Sequence, residues 1–248
     1  MRNLRLLIEY DGTPYCGWQT QTRNKSKKSI QEILEAVLSR ILQEKIKVIG
    51  SGRTDAGVHA AGQVANFKTG SDIPLPKLRR ALNSLLPDEI VIKSVKEVSL
   101  SFHSRYSAKS KRYRYTILNR PFPCALSRNF MFFYPRPLDV KLMKKAARPF
   151  VGRHDFSAFR NADKKEASSV RTIKSLTLKK EGDRIHIDIE GDGFLYNMVR
   201  SIAGTLIEVG RGRIAPGEAR KILRGKRRDL AGPTAPAKGL CLVSVKYK

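Results

Sequence analysis

Three observations predict an α/β chain of the α+β kind, built as two β-α-β-β-α-β halves with mainly antiparallel sheets. Apolar residues alternate in short runs such as Leu4, Leu6, Ile8 and Tyr10, the period of a half-buried strand. They recur at helical spacing in Ile30, Ile33, Leu34, Val37, Leu38, Ile41 and Leu42. The order of such segments is the same in both halves of the chain, although the halves show no evident sequence identity. This unit is the split-βαβ or ferredoxin-like arrangement, which is also the architecture of the RNA-recognition motif.

In the first half the alternating strand at residues 4 to 10 is followed by a polar loop through Lys25, Lys27 and Lys28. Ser29 then opens a helix, with Glu32 placed for a capping box. Residues 46 to 50 and 62 to 68 read as strands. Pro74 and Pro76 precede a helix over 77 to 86, and residues 90 to 98 close the half. The second half has a strand at 110 to 118, a helix at 139 to 148 and a strand at 170 to 180. A turn at Glu181 to Asp183 leads to a strand at 184 to 190, then an apolar helix at 194 to 209 and a last strand at 240 to 247. Extra pieces fall at 120 to 137 and in a short helix at 216 to 224. The boundary between the halves is expected within residues 100 to 107, giving domains of 1–105 and 106–248.

Forty-nine lysines and arginines against 22 acidic residues leave a formal charge of +27 over 248 residues. Such an excess favours a polyanionic partner, because each phosphate contact releases condensed counterions. With 41% apolar residues the chain has material for a core, which argues against wholesale disorder. Cys16, Cys124 and Cys241 are few, odd in number and widely spaced, so neither a disulfide framework nor a zinc finger is indicated. The opening run is too short, and broken by Arg5 and Glu9, for a signal peptide. These features predict a cytoplasmic protein without a membrane span.

The segment Gly50-Ser51-Gly52-Arg53-Thr54-Asp55-Ala56-Gly57-Val58-His59, between two predicted strands, is the most informative. Gly52 and Gly57 have the spacing of a phosphate loop, but Val58-His59 follows where Lys and Ser or Thr are required. On the residues alone Asp55 has two readings. It is a turn-capping aspartate bonded to nearby backbone N–H groups, or it is a reactive carboxylate with Arg53 two residues away. Arg200 bears on the choice. It is the only charge in the fourteen residues from Phe194 to Ile207, a stretch apolar on nearly every helical face, so it calls for an anionic partner. That partner is either a structural ion pair or a catalytic carboxylate kept ionised by the guanidinium.

Bases and aromatics mix in the segment from Phe102 to Tyr115. Tyr113 and Tyr115 share one strand face, and Arg112 and Arg114 the other, beside Lys109 and Lys111. The tyrosines either cover the core or stack on a base. His59, His103, His154 and His186 lack metal-ligand spacing, and neither a magnesium carboxylate cluster nor a dinucleotide fingerprint is present. The residues therefore point to chemistry without a cofactor or metal.

Gly52-Arg53-Thr54-Asp55-Ala56-Gly57-Val58-His59-Ala60 with Gly62-Gln63-Val64 resembles the signature of the tRNA pseudouridine synthase A family. Tyr10-Asp11-Gly12 with Tyr15 and Gly17-Trp18-Gln19 is similar to its first strand and loop. The stretches Phe102 to Ala108 and Arg112 to Tyr115, Phe194 with Met198-Val199-Arg200, and Thr234-Ala235-Pro236-Ala237 with Gly239-Leu240 follow in the family's order. The resemblance implies the pseudouridine synthase fold, its halves joined around a central active-site cleft, and isomerisation of uridine on the 3′ side of the tRNA anticodon stem-loop. It implies Asp55 as the essential carboxylate, Tyr113 stacking on the flipped base and assisting proton removal from C5, and Arg200 pairing with Asp55. Arg53, His59 and Gln63 join Tyr113 as substrate-binding residues. Lys25, Lys27, Lys28, Lys109, Lys111, Arg112 and Arg114 are expected on the RNA backbone. It further implies no metal, no cofactor, and a homodimer with tRNA as partner. The chain departs from the family at Cys16, where relatives carry an aromatic, and in a longer lysine-rich loop from Arg23 to Lys28. The competing readings are a noncatalytic RNA-binding protein of two RRM-like halves and a uridine-modifying enzyme of another class, such as a methyltransferase, for which no donor site is evident.

Overall fold

The computed structural model describes residues 1–20, 27–161 and 168–247. The chain divides into two compact units, Met1–Lys109 with Leu242–Lys248, and Ser110–Cys241.

The first unit runs β1 (Arg2–Tyr10), α1 (Ile30–Leu42), β2 (Ile49–Gly50), β3 (His59–Thr69), α2 (Leu75–Leu85) and β4 (Ile90–Val98). β1 is central and antiparallel to both β3 and β4, with Leu6 opposite Ala65 on one side and Val95 on the other. The alternation read in β1 has its physical cause here: Leu4, Leu6 and Ile8 are wholly buried, as are Leu34 and Leu38 of α1 and Leu78 and Leu82 of α2. Burial of each such side chain stabilises the fold by roughly 1.5–3 kcal/mol. α1 starts where Ser29 predicts, since the Glu32 N–H donates to Ser29 Oγ at 3.2 Å and Glu32 Oε2 accepts from the Ser29 N–H at 2.7 Å. Gln43 in the left-handed region ends it.

The strand expected at 46 to 50 shrinks to Ile49–Gly50 for a reason visible in the bonding. The Val48 N–H donates to Glu35 Oε1 of α1 at 2.9 Å, and Gln31 Nε2 donates to the Val48 carbonyl at 3.1 Å, so helix side chains take the place of strand partners. The chain's last strand, β10 (Leu240–Lys246), lies beside β3, where a Cβ on Gly62 would meet the Val243 carbonyl at 2.5 Å. Although it follows the second unit in sequence, it belongs from Leu242 onward to the first.

The second unit comprises β5 (Ser110–Asn119), β6 (Phe132–Tyr134), α3 (Val140–Ala147), β7 (Gly152–Asp155), β8 (Val170–Glu181), β9 (Arg184–Gly191), α4 (Met198–Gly210) and α5 (Glu218–Gly225). Its sheet order is β5-β9-β8-β7, antiparallel throughout, with β6 pairing parallel to β5. Tyr113, Tyr115 and Ile117 of β5 stand opposite Ile189, Ile187 and Ile185 of β9. The two short strands β6 and β7 carry no alternating apolar pattern, and the sequence predicts neither.

α4 is the chief departure from expectation. The apolar run begins at Phe194, but the helix begins at Met198, because Asn197 has φ +61° and no α-helix continues backward through a left-handed residue. Tyr196, inside the helix expected at 194 to 209, precedes the observed helix and is exposed. From Met198 onward α4 is buried on almost every side. Its Gly204 admits a neighbouring chain so closely that a Cβ would stand 1.7 Å from the Pro233 carbonyl oxygen.

Candidate active site

In the first unit the loop from Gly50 to His59 connects β2 to β3, and its two ends are tied to β3 itself. The Ser51 N–H donates to the Val64 carbonyl at 2.7 Å, and Ser51 Oγ to Gln63 Oε1 at 2.6 Å. Gln63 Nε2 donates to the Gly52 carbonyl at 3.0 Å. Gln63 is wholly buried, so its amide braces the loop from beneath rather than facing outward where the resemblance would have it meet substrate. His59 is also buried. Its Nδ1 lies 3.1 Å from both the Gly12 N–H and an Asp11 carboxylate oxygen, and where the ring proton sits decides which it serves. Either contact binds the end of β1 to the start of β3.

The end of β1 and the residues after it close over the same loop. The Tyr10 hydroxyl lies 2.8 Å from Thr54 Oγ1, and the Trp18 N–H donates to the Thr54 carbonyl at 3.0 Å. Gly17 and Trp18 in turn offer their carbonyls to the Ile30 and Gln31 N–H groups, which are first-turn donors of α1 without helical partners. The helix start, the Gly17–Trp18 turn and the Asp55 loop thus form one connected frame. The outcome is selective exposure. Thr54, Val58 and His59 are buried, Arg53 is exposed, and Asp55 between them is half-buried. A frame of this kind holds one carboxylate in a fixed place at the surface of the unit.

Gly17 is required twice over. Its φ of +104° excludes ordinary side chains, and a Cβ would meet the Thr54 carbonyl oxygen at 2.6 Å. Gly17→Ala is expected to lower stability by about 2–4 kcal/mol through backbone strain and displacement of the loop. Gly217→Ala, where a Cβ meets nothing within 4 Å, should stay within about 0.5 kcal/mol of the parent. Urea unfolding midpoints of the two variants check this; equal midpoints would show that the loop is not docked on Gly17.

The second unit builds a different arrangement around Arg200 in the first turn of α4. Arg200 Nε donates to the Ala235 carbonyl at 2.8 Å and Nη1 to Asn197 Oδ1 at 2.8 Å. The Ala235 N–H returns a bond to the Arg200 carbonyl at 3.1 Å. The chain before Ala235 is itself fixed, since the Gly232 N–H donates to Thr205 Oγ1 and Arg228 donates to the Gly232 carbonyl and Thr234 Oγ1, each at 2.9 Å. Burial pulls the Arg228 pKa below its usual value. The half-buried guanidinium of Arg200 therefore has two of its five donors oriented by acceptors in its own unit.

Tyr113 is buried on β5, with the Phe194 ring edge-on at 5.2 Å. Tyr115 is wholly enclosed, donates its hydroxyl to the Pro236 carbonyl at 2.9 Å, and has its pKa pushed up by that burial. On the other face of β5, Arg114 makes a bidentate bond to Asp188 at 3.0 and 2.9 Å, and Arg112 reaches the same carboxylate at 3.2 Å. The Asp188 bond holds Arg114 more firmly protonated. One carboxylate between two guanidiniums leaves one net positive charge, not the two that sequence suggested for RNA. Lys27, Lys28 and Lys109 are exposed and Lys111 is half-buried; Lys25 lies outside the described residues. Asn197, Ala235 and Arg228 were missed as supports of Arg200. An Asn just before a helix run was the available signal, because Asn tolerates the left-handed region better than most residues.

A family model described as tRNA pseudouridine synthase matches residues 6–107 and 146–248. The chain is 51% identical over 247 residues to the tRNA pseudouridine synthase A of Acetivibrio thermocellus, covering 100% of each chain. It is 50% identical over 247 residues to that of a Thermoanaerobacter species and 48% to that of Clostridium kluyveri, again over 100% of both chains. Among solved structures the archaeal box H/ACA sRNP Nop10-Cbf5 complex aligns with TM-score 0.34 and 13% identity, covering 83% of this chain and 43% of that one, a likeness too weak to carry an argument. Full-length identity at this level, together with the Arg53-Thr54-Asp55 loop held in its frame, places the chain in the tRNA pseudouridine synthase family, as an isomerase that modifies uridines in tRNA.

Proposed function

We propose that Asp55 is the catalytic carboxylate and that the uridines it acts on lie on the 3′ side of the anticodon stem-loop. The observation that carries this reading is the frame around Asp55, in which buried neighbours fix the backbone and leave one carboxylate half-exposed beside Arg53. A merely structural aspartate needs no such support from three separate chain segments.

The reaction breaks the bond from uracil N1 to ribose C1′ and forms one from C5 to C1′. C5 loses a proton and N1 gains one, so atoms balance and no donor is consumed. A uridine inside a stem cannot be reached, so it must leave its stack at a cost of a few kcal/mol, which phosphate contacts offset. Asp55 acts as an anion, at ribose C1′, at base C6 or on a ribose proton. In this reading Arg200 keeps that anion ionised and oriented. Tyr113 holds the base by stacking while it turns, and its hydroxyl assists loss of the C5 proton. Arg53, Lys27 and Lys28 meet phosphates. The protein works as a cytoplasmic homodimer, which sedimentation at twice the mass of one chain would support.

The test is tritium release from C5-labelled uridine in tRNA, with no added donor and with a chelator present. Release equal to the label at modified positions is the expected result. Binding without release would make the chain a noncatalytic RNA-binding protein, and release only after addition of a methyl donor would make it an enzyme of another class. Tyr113→Phe is expected to retain tRNA affinity and slow release about 10²-fold, the low end for a positioned proton-transfer group. Unchanged release would remove the hydroxyl from the mechanism.

A further inference from the structure

A basic concavity of about 560 Å³ opens in the first unit, lined by Lys45, Lys47, Lys68, Ile49, Phe102 and His103. Its walls are fixed from within. Asn3 Nδ2 donates to the Ser99 and Phe102 carbonyls at 2.8 and 2.9 Å, and Asn66 links the Asn3 side chain to the Ser104 N–H, at 2.9 Å each. Lys45, Lys47 and Ile49 point outward because Ile46 and Val48, alternating with them, are buried.

The lysines of this lining are unpaired among the described residues. Elsewhere Asp188 binds Arg112 and Arg114, Glu208 binds Arg211 and Arg213, and Asp229 binds Arg227. Around the concavity, none of the three lysines lies within ion-pair distance of a carboxylate among the described residues. Glu44, the acid next to Lys45 in sequence, is engaged by the Gly70 N–H and the Thr69 hydroxyl. Three ammonium groups around one hollow, against the nearby carboxylate of Glu44, leave a net positive charge that favours an anion between them.

The lining also indicates what kind of anion. Asn66 is consumed by the wall, and the Phe102 ring is occupied by Tyr247 at 5.0 Å and by the Arg5 guanidinium at 5.9 Å. What remains is the apolar Ile49, Phe67 and Leu100, the Ser101 side chain, one imidazole and the three ammonium groups, of which the ammonium groups position a phosphate. The hollow lies toward the Lys68 end of β3, whereas the Asp55 loop enters β3 at His59. Ile49, which lines the hollow, directly precedes the loop that carries Asp55, and the chain between Ile49 and Asp55 reaches at most about 22 Å. One RNA can meet both within that reach.

We propose that this concavity is a second backbone site, which takes phosphodiesters of the same tRNA whose uridine meets Asp55. The inference rests on the tRNA reading above, but its test reads binding rather than turnover. The variant Lys45→Ala/Lys47→Ala/Lys68→Ala is compared with the parent by tRNA affinity across a salt series. The expected result is about tenfold weaker binding at moderate salt and a log–log salt slope flatter by about 2–3, one for each ammonium–phosphate pair removed. The single-turnover rate at saturating tRNA should be unchanged. Equal affinity and slope overturn the proposal.

Two results would reassign the site and also overturn it. One is saturable binding of pyrophosphate or uridine monophosphate to the parent, abolished in the variant while its tRNA affinity is intact. The other is a changed oligomeric state with an intact salt slope, which makes the hollow a contact between copies. A parent that releases tritium while the variant binds normally sinks only this proposal. A parent that releases none, with binding still sensitive to the lysines, sinks the catalytic reading and leaves this proposal standing.

Discussion

Asp55→Asn should bind tRNA as the parent does and release tritium at least about 10³-fold more slowly. The side chains are nearly isosteric. The Asp55 backbone carbonyl accepts from the Val58 N–H at 3.1 Å and the loop is tied down at Ser51, Thr54 and His59, none of which the substitution alters. Folding and docking are therefore expected to survive. What disappears is the negative charge, and a neutral amide neither attacks carbon nor accepts a proton at neutral pH. The magnitude is the usual cost of removing an essential nucleophile or base rather than of weakening a contact. Fluorescence titration with tRNA and single-turnover tritium release, run on the same preparation, separate the two quantities. Parallel loss of affinity and rate would show instead that Asp55 supports the loop.

Arg200→Gln is expected to lower the single-turnover rate about 10²–10³-fold, the loss typical of one charged or hydrogen-bonding group aimed at a reacting centre. The substitution also removes the charge from the first turn of α4. Its structural cost should stay modest, because the helix and the segment from Gly232 to Ala235 keep the bonds through Thr205 Oγ1 and Arg228. Arg200→Lys should not restore the rate, since an ammonium cannot satisfy the Ala235 carbonyl and Asn197 Oδ1 with the planar fork that now does. A near-normal rate with a lowered unfolding midpoint would assign Arg200 to the fold alone.

Much of the fold was legible because periodicity reports burial. β1, α1, β4, β5 and β9 each bury one face, so their apolar spacing matches their structure. The capping box at Ser29 and Glu32 was readable because it is local. Three features were not. β2 is two residues long since Gln31 and Glu35 of α1 occupy the bonds that a longer strand would use. α4 starts late since Asn197 adopts a left-handed conformation inside an apolar run. β6 and β7 are three and four residues long, too short to show an alternating pattern.

The candidate site divides in the same way. Asp55 and Arg200 could be singled out because one sits among glycines and the other is a charge in an apolar helix. The groups that hold them could not, because Tyr10 meets Thr54 across 44 residues and Arg200 meets Ala235 across 35. Gln63 illustrates the limit of motif reading. It belongs to the family signature, yet its amide ties Ser51 to Gly52 from a buried position. A residue retained in a signature can be there to shape the loop that carries the reactive one.

Mass spectrometry of tRNA from cells lacking this gene, complemented with the parent chain or with Asp55→Asn, puts the question most directly. The account predicts that pseudouridine on the 3′ side of the anticodon stem-loop is missing without the gene and returns with the parent. With Asp55→Asn it stays absent, although the variant accumulates to the same level. Full return of those pseudouridines with Asp55→Asn would contradict it.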